Sequence, residues 1–429
     1  MKILGELSKF MSLKIRVAYG KIFHMGYTKE AIKGVSWLGA FRLFTRALSF
    51  LRIIVIARIL SPAQFGVYGI AALVLSLVEI LTETGINVFL VQNKENINRY
   101  IGTAWVVSII RGFLISSLIF LSSFFISGFF KSPDALVLLM LVSLVPLIRG
   151  FINPSIAKFQ KDLQFQKEFY YRSGVFFIET IVSIVLVVVM KNPIALIYSL
   201  IAGAIFEMAI SLLFVKPVPI IEFNKKIFRE IISYGRWITG AGIFGYLFQN
   251  IDNVVVGRML GTGALGTYDM AYSIATLPLN EISDVVARVT FPIYTRISDD
   301  KKRLRRAYIR TILLTTLLVL PILLSFLLIP SQVILLFLGA NWIQATDVLK
   351  VLAIYAMLSI LGSPTGAVFY AVKKQEYLTV ISIISFVVMI ASIFPLIDHF
   401  GLIGAGIAVV LGSLATLPFM IYYLIRVLK

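Results

Sequence analysis

Apolar runs of about 20 residues, the length that carries a helix across a bilayer core about 30 Å thick, alternate along this chain with short segments rich in Lys, Arg, Pro and Gly. Windows of that kind fall at residues 35–60, 66–91, 101–126, 135–156, 171–190, 194–215, 232–257, 265–291, 309–329, 346–371, 377–397 and 401–425. The pattern predicts an all-α polytopic membrane protein of about twelve transmembrane helices. Residues 1–34 stand apart, because Lys2, Lys9, Lys14, Arg16, Lys21, Lys29 and Lys33 interrupt any apolar core that a signal peptide would need. That segment is expected to form a basic cytoplasmic arm.

The connections between windows alternate in charge. Lys94 and Arg99 follow the second window, Lys158, Lys161, Lys167 and Arg172 the fourth, and Lys216, Lys225, Lys226 and Arg229 the sixth. Arg296, Lys301, Lys302, Arg303, Arg305, Arg306 and Arg310 follow the eighth, and Lys373 and Lys374 the tenth. The other set of connections offers only Lys131, Lys191 and the flanking Arg58 and Arg258, and its stretch 330–346 has no charge. Positive residues are retained on the cytoplasmic side, so both termini are expected inside a plasma membrane.

Composition narrows the function. Of 429 residues, 59% are hydrophobic and 14% charged, against about 25% charged in a soluble domain. The net charge of +19 sits on short loops rather than on a solvated domain, which argues for topology and against nucleic acid. There is no cysteine, and His24 and His399 lie far apart, so no metal cage is expected. Phosphate-binding loops, G-x-S-x-G and H-E-x-x-H are absent from the sequence, and the chain is not expected to be an enzyme.

The chain matches itself at an offset of 200 residues: Val55, Arg58, Leu60, Gly66, Tyr68, Ala71 and Leu77 align with Val255, Arg258, Leu260, Gly266, Tyr268, Ala271 and Leu277. Each copy is a span end, an external turn and the next span. Six spans per half return the chain to its starting side, so the halves are expected to form two parallel six-helix lobes around a central cavity. The corresponding divisions are a basic arm at 1–34, an N-lobe at 35–215, a linker at 216–231 and a C-lobe at 232–429.

Charges inside the spans are the candidate chemistry, since an ion in hydrocarbon costs roughly 2.5–3.5 kcal/mol and normally faces protein or a wet cavity. Gly39, Arg42, Arg46, Ser49 and Ile53 share one stripe of the first span, with Arg52 at its flank. Ser76, Glu79, Glu83 and Asn87 form a stripe on the second, mirrored in the eighth by Asn280, Glu281, Asp284 and Arg288. Arg111, Arg149, Glu179, Glu207, Arg236 and Asp252 add single ions elsewhere. One reading makes these groups interhelical ion pairs, with Glu79 and Glu83 neutralising Arg42 and Arg46. The other has the arginine forks bind a diphosphate bidentately. Glu79, Glu83, Asp252, Glu281 and Asp284 are the candidates for proton or Na⁺ coupling. Arg58, Arg258, Lys191 and Lys216, at span ends, read as snorkelling anchors.

The run Ala57-Arg58-Ile59-Leu60-Ser61-Pro62-Ala63-Gln64-Phe65-Gly66-Val67-Tyr68 resembles the A-R-x-L-x-P-x-x-F-G-x-Y turn of polysaccharide exporters in the multidrug/oligosaccharidyl-lipid/polysaccharide superfamily. Gln249-Asn250-Ile251-Asp252-Asn253, followed by Gly257-Arg258-Met259-Leu260-Gly261, resembles a second turn of the same group, in its colanic and teichuronic acid exporter branch. The two copies depart from each other where Ser61-Pro62 becomes Gly261-Thr262. The resemblance implies a flippase that carries an undecaprenyl-diphosphate-linked oligosaccharide to the outer leaflet by alternating access, alongside other polysaccharide-assembly membrane proteins. It places the diphosphate in a cationic cavity that maps onto Arg42, Arg46 and Arg52, with Arg236 a further candidate. It gives the turn residues Arg58, Gly66, Tyr68, Arg258, Gly266 and Tyr268 an architectural part. Alternatives are a membrane-embedded polysaccharide polymerase or ligase, a multidrug exporter of the same superfamily, and an ion channel.

Overall fold

A computed structural model gives the fold, described over residues 27–81, 85–92 and 97–429. Most of the basic arm expected at 1–34, together with Glu83, Lys94 and the side chain of Arg236, lies outside the described residues.

The described chain is helical throughout. In the N-terminal half run α1 (Tyr27–Ile59), α2 (Pro62–Leu81), α3 (Ile86–Gln92), α4 (Asn98–Phe129), α5 (Asp134–Val142), α6 (Leu144–Gly150), α7 (Ala157–Lys161), α8 (Phe165–Met190) and α9 (Ile194–Phe214). The C-terminal half holds α10 (Lys225–Leu260), α11 (Thr262–Arg296), α12 (Lys301–Leu328), α13 (Pro330–Phe337), α14 (Ala345–Ala371) and α15 (Glu376–Leu428). Local chemistry sets several starts. Ser61 and Gln64 form a reciprocal capping box at α2, with Ser61 N donating to Gln64 Oε1 at 3.0 Å and Gln64 N to Ser61 Oγ at 3.3 Å. Asn224 caps α10 by accepting from the Lys226 and Ile227 amides, and Asp300 caps α12 by accepting from the Arg303 amide at 2.9 Å.

Among the described residues, seven helices are long and apolar enough to cross a membrane, or eight if the bent pair Asp134–Gly150 and Pro154–Lys161 is one span. One of them, α15, has 53 residues, about 80 Å if straight at 1.5 Å per residue. Gly401, at φ 57° and ψ −133°, breaks it into two pieces, where the sequence windows also divide. Helices α1, α10 and α11 have 33, 36 and 35 residues; they are of spanning length, but charged residues interrupt their apolar runs. They are also the helices that carry the candidate site.

Most helix packing stays inside each half of the chain: α1 lies on α8, α8 on α9 and α4 on α6, while α11 lies on α14 and α14 on α15. The principal crossing is α2 against α11 and α10. There the two copies of the repeat meet. A Cβ on Gly66 would strike the Thr262 carbonyl, and a Cβ on Gly266 would strike the Pro62 carbonyl, so only glycine lets the two helix starts cross this closely.

Two further contacts obey the same two-fold relation. Arg58 donates from Nη2 to the Leu336 carbonyl at 2.6 Å, and Arg258 from Nη1 to the Phe129 carbonyl at 2.7 Å, with its guanidinium 5.2 Å from the Phe129 ring centroid. Each arginine thus caps a helix end of the opposite half. That corrects the expectation of simple snorkelling anchors, because the close glycine crossing brings the opposite helix ends within reach. Trp342, fully buried, adds an indole N–H to the Ala57 carbonyl at 2.6 Å.

Candidate functional site

On α1, Arg42 and Arg46 lie one turn apart and point at α11. Arg42 Nη1 stands 2.8 Å from Asp284 Oδ2, and Arg46 Nε stands 2.6 Å from Glu281 Oε1. Glu79 and Glu83 had been expected to neutralise them. Glu79 instead meets Arg149 Nη1 at 3.0 Å, and its carbonyl accepts from Arg111 at 2.8 Å; Glu83 is outside the described residues. The reason is rotational, since the helical stripe bearing Glu79 turns into the N-terminal half and leaves the α11 acids as the nearest carboxylates to α1.

These two ion pairs join the halves of the chain and remain open. Side-chain exposure is 46% and 56% for Arg42 and Asp284, and 53% and 37% for Arg46 and Glu281. Charges left bare in hydrocarbon would be costly, so exposed ion pairs of this kind are expected to face water rather than lipid. In such surroundings each pair stabilises by at most about 1 kcal/mol. The latch is weak, and an anion offering several oxygens to both guanidiniums competes with it well.

Arg52 is different. Its Nη1 meets Glu179 Oε1 at 2.8 Å, and both side chains are only 14% exposed. Gly203 on α9 leaves the room that Glu179 occupies. This is a sealed pair within the N-terminal half. Of the acids proposed for ion coupling, Glu281 and Asp284 are the partners of the α1 arginines and Glu79 that of Arg149. Asp252 is buried on α10, accepts from Tyr268 Oη at 2.8 Å through Oδ2, and leaves Oδ1 without a hydrogen bond. Tyr268, a residue of the repeated turn, therefore holds the one named candidate acid that has no cation beside it among the described residues.

Among the described residues, a small cavity of about 60 Å³ meets Asp252, Tyr272 and Tyr355, and larger ones lie nearby. One of about 260 Å³ lies inside the N-terminal half, lined by Glu79, Arg111, Arg149, Arg172 and Glu207 among others. A second, about 200 Å³, lies within the C-terminal half and is lined by hydroxyls of Ser359, Thr365, Ser382, Ser385 and Thr416. The third, about 190 Å³, lies between the halves, where α2 faces α10 and α11, and Asp269 contributes to its wall. Sequence reasoning had not singled out Asp269. Its proximity to the repeated Gly266-x-Tyr268 turn was the available signal.

Known proteins resemble this chain along most of its length. The chain is 25% identical over 366 residues to the lipopolysaccharide biosynthesis protein WzxC of Escherichia coli (strain K12), covering 82% of this chain and 72% of the relative. It is 24% identical over 357 residues to the teichuronic acid biosynthesis protein TuaB of Bacillus subtilis (strain 168), covering 81% and 73%. The solved structure of the lipid II flippase MurJ in an inward closed conformation superposes with a TM-score of 0.67 at 17% identity, over 91% of this chain and 88% of that one. The fold is thus that of a multi-pass membrane transporter. Residues 55–347, more than half of the chain, match the family described as polysaccharide biosynthesis protein, and the chain belongs to that family.

Proposed function

We propose that this protein is a flippase that moves an undecaprenyl-diphosphate-linked oligosaccharide repeat from the cytoplasmic to the outer leaflet of the plasma membrane, for surface polysaccharide assembly. The observation that carries the reading is the pair of half-exposed bridges, Arg42–Asp284 and Arg46–Glu281, joining the two halves across open space. A diphosphate entering the cleft takes both guanidiniums from their carboxylates. With the direct bridges broken, the diphosphate itself becomes the link between the two halves, so the latch responds to whether cargo is present. Alternating access follows if the halves move as two lobes about the glycine crossing of α2 and α11.

The basic loops set both termini on the cytoplasmic side in this reading. Arg236 on α10 is a further candidate for the diphosphate. Coupling to a proton or Na⁺ falls to Asp252, whose carboxylate keeps one oxygen free of hydrogen bonds. Other membrane proteins of polysaccharide assembly would deliver the cargo and receive it.

The test is to delete the gene and follow lipid-linked oligosaccharide in each leaflet. Accumulation in the inner leaflet is expected, relieved by wild type and relieved at least tenfold less by Arg42→Ala/Arg46→Ala. Full rescue by that double variant would return the arginines to a packing role and remove the diphosphate site. No accumulation on deletion would end the flippase reading itself.

A further inference from the structure

The cavity between the halves is built unlike the arginine cleft. Tyr68 and Ser76 come from α2, Tyr246, Asn250 and Asn253 from α10, and Asp269 from α11. Among the described residues lining the cavity, Asp269 is the charged one, and none is cationic. Asn253 is only 7% exposed, and its Oδ1 has no hydrogen-bond partner. Asn250 donates through Nδ2 to the Tyr246 carbonyl at 3.0 Å, which fixes its amide and leaves Oδ1 as an acceptor. Tyr246 in turn donates its hydroxyl to the Leu73 carbonyl at 2.7 Å across the halves.

The wall is rich in acceptors among aromatic rings, with the Asn253 amide and the Tyr68 and Ser76 hydroxyls able to donate as well. A carboxylate and two amide oxygens have no use for a phosphate, which also only accepts, but they suit neutral groups that bring their own donors. Burial makes the unmet acceptors costly until such donors arrive. We propose that this cavity recognises the hydroxyls of the carbohydrate portion of the cargo, with Asp269, Asn250 and Asn253 accepting and Tyr68 and Tyr246 walling the ring; this rests on the flippase reading above.

Placement agrees. Asp269 lies twelve residues before Glu281 on the same helix, about 18 Å along the axis at 1.5 Å per residue. A diphosphate at Arg46 and a sugar at Asp269 would thus be separated by a length that an oligosaccharide of several sugars can span. Because α2 supplies one wall and α10 with α11 the other, any motion that parts α2 from α11 dismantles the cavity. Sugar affinity is then high while the outer side is closed and lost when it opens, which is the sense that export requires.

Binding by purified protein in nanodiscs decides the matter, with two probes: undecaprenyl diphosphate without sugar, and the sugar-bearing undecaprenyl diphosphates extracted from membranes of the cell that makes this protein. Wild type is expected to bind the sugar-bearing lipid at least tenfold more tightly. Asp269→Asn and Asn250→Ala are each expected to cut that preference about tenfold while holding bare-lipid affinity within about twofold, which also shows that the variant is folded. The second variant changes no charge and keeps the question answerable if the first does not fold. Equal preference in wild type and both variants would overturn the sugar site while leaving the flippase reading intact. So would an Asp269→Asn protein whose only change is in Na⁺ or pH dependence of transport, which would make the carboxylate a coupling group. Failure of wild type to bind either lipid would overturn the flippase reading as well.

Discussion

Charged residues of like appearance in the sequence divide sharply in the structure. Arg42 and Arg46 sit half-exposed beside acids of the opposite half, whereas Arg52 is sealed against Glu179. The consequence is testable at the single residue. Breaking a buried pair strands a charge, so Arg52→Met is expected to destabilise by about 3–5 kcal/mol, while Arg52→Met combined with Glu179→Leu is expected to be close to neutral. Unfolding in detergent measures the first expectation, and transport by the double variant measures the second. A stable double variant that fails to transport would return Arg52 to the cargo site. Tyr268 gives a second case: Tyr268→Phe removes the hydroxyl donor to Asp252 and is expected to cost about 1.5–3 kcal/mol, again read by unfolding.

Helix by helix, the repeated turn explains how the two halves close against each other at the end that the proposed topology places outside. The starts of α2 and α11 cross at Gly66 and Gly266, each against a backbone carbonyl that cannot move aside as a side chain would. Either glycine replaced by Ala is expected to cost about 1–3 kcal/mol from overpacking and to prop the crossing open. Gly263 has nothing within 4 Å of where a Cβ would stand, so Gly263→Ala is expected to be tolerated, and a comparison of expression and melting among the three variants separates crowding from a general intolerance of substitution. The difference between the copies also has a physical content. Ser61 and Gln64 box the start of α2, while Gly261, at φ +85° and preceding α11, has no capping side chain, so the two starts are held with unequal stiffness.

For the whole molecule, a close crossing at one end and a weak latch at the other are the parts that the proposed alternating access would use. The clasp at the proposed outer end consists of Arg58 on Leu336, Arg258 on Phe129 and Trp342 on Ala57. Removing both arginines is expected to favour outward opening. The chain has no cysteine, so Ala72→Cys, on the cavity wall, can be labelled from outside with an impermeant maleimide without background. Slow labelling is expected in the otherwise native chain and at least tenfold faster labelling in Arg58→Ala/Arg258→Ala. Unchanged labelling would make the arginines helix caps without a gating part.

How much of this was legible in the sequence depends on the range of the physics involved. Hydrocarbon imposes apolar runs and punishes stray charge, so the all-helical membrane architecture, the break near residue 400 and the importance of α1, α10 and α11 are written into composition and spacing. The repeat was visible as a match at an offset of 200 residues, and its glycines did mark a close approach. Partner choice was not visible. Which carboxylate reaches Arg42 depends on how helices far apart in sequence face each other, and their packing sent Glu79 to Arg149 and brought Asp284 from 242 residues away. The same holds for Asp269 and for Arg58, whose neighbours come from the other half of the chain. Local chemistry fixed which residues had to avoid lipid; only tertiary packing decided what each of them met instead.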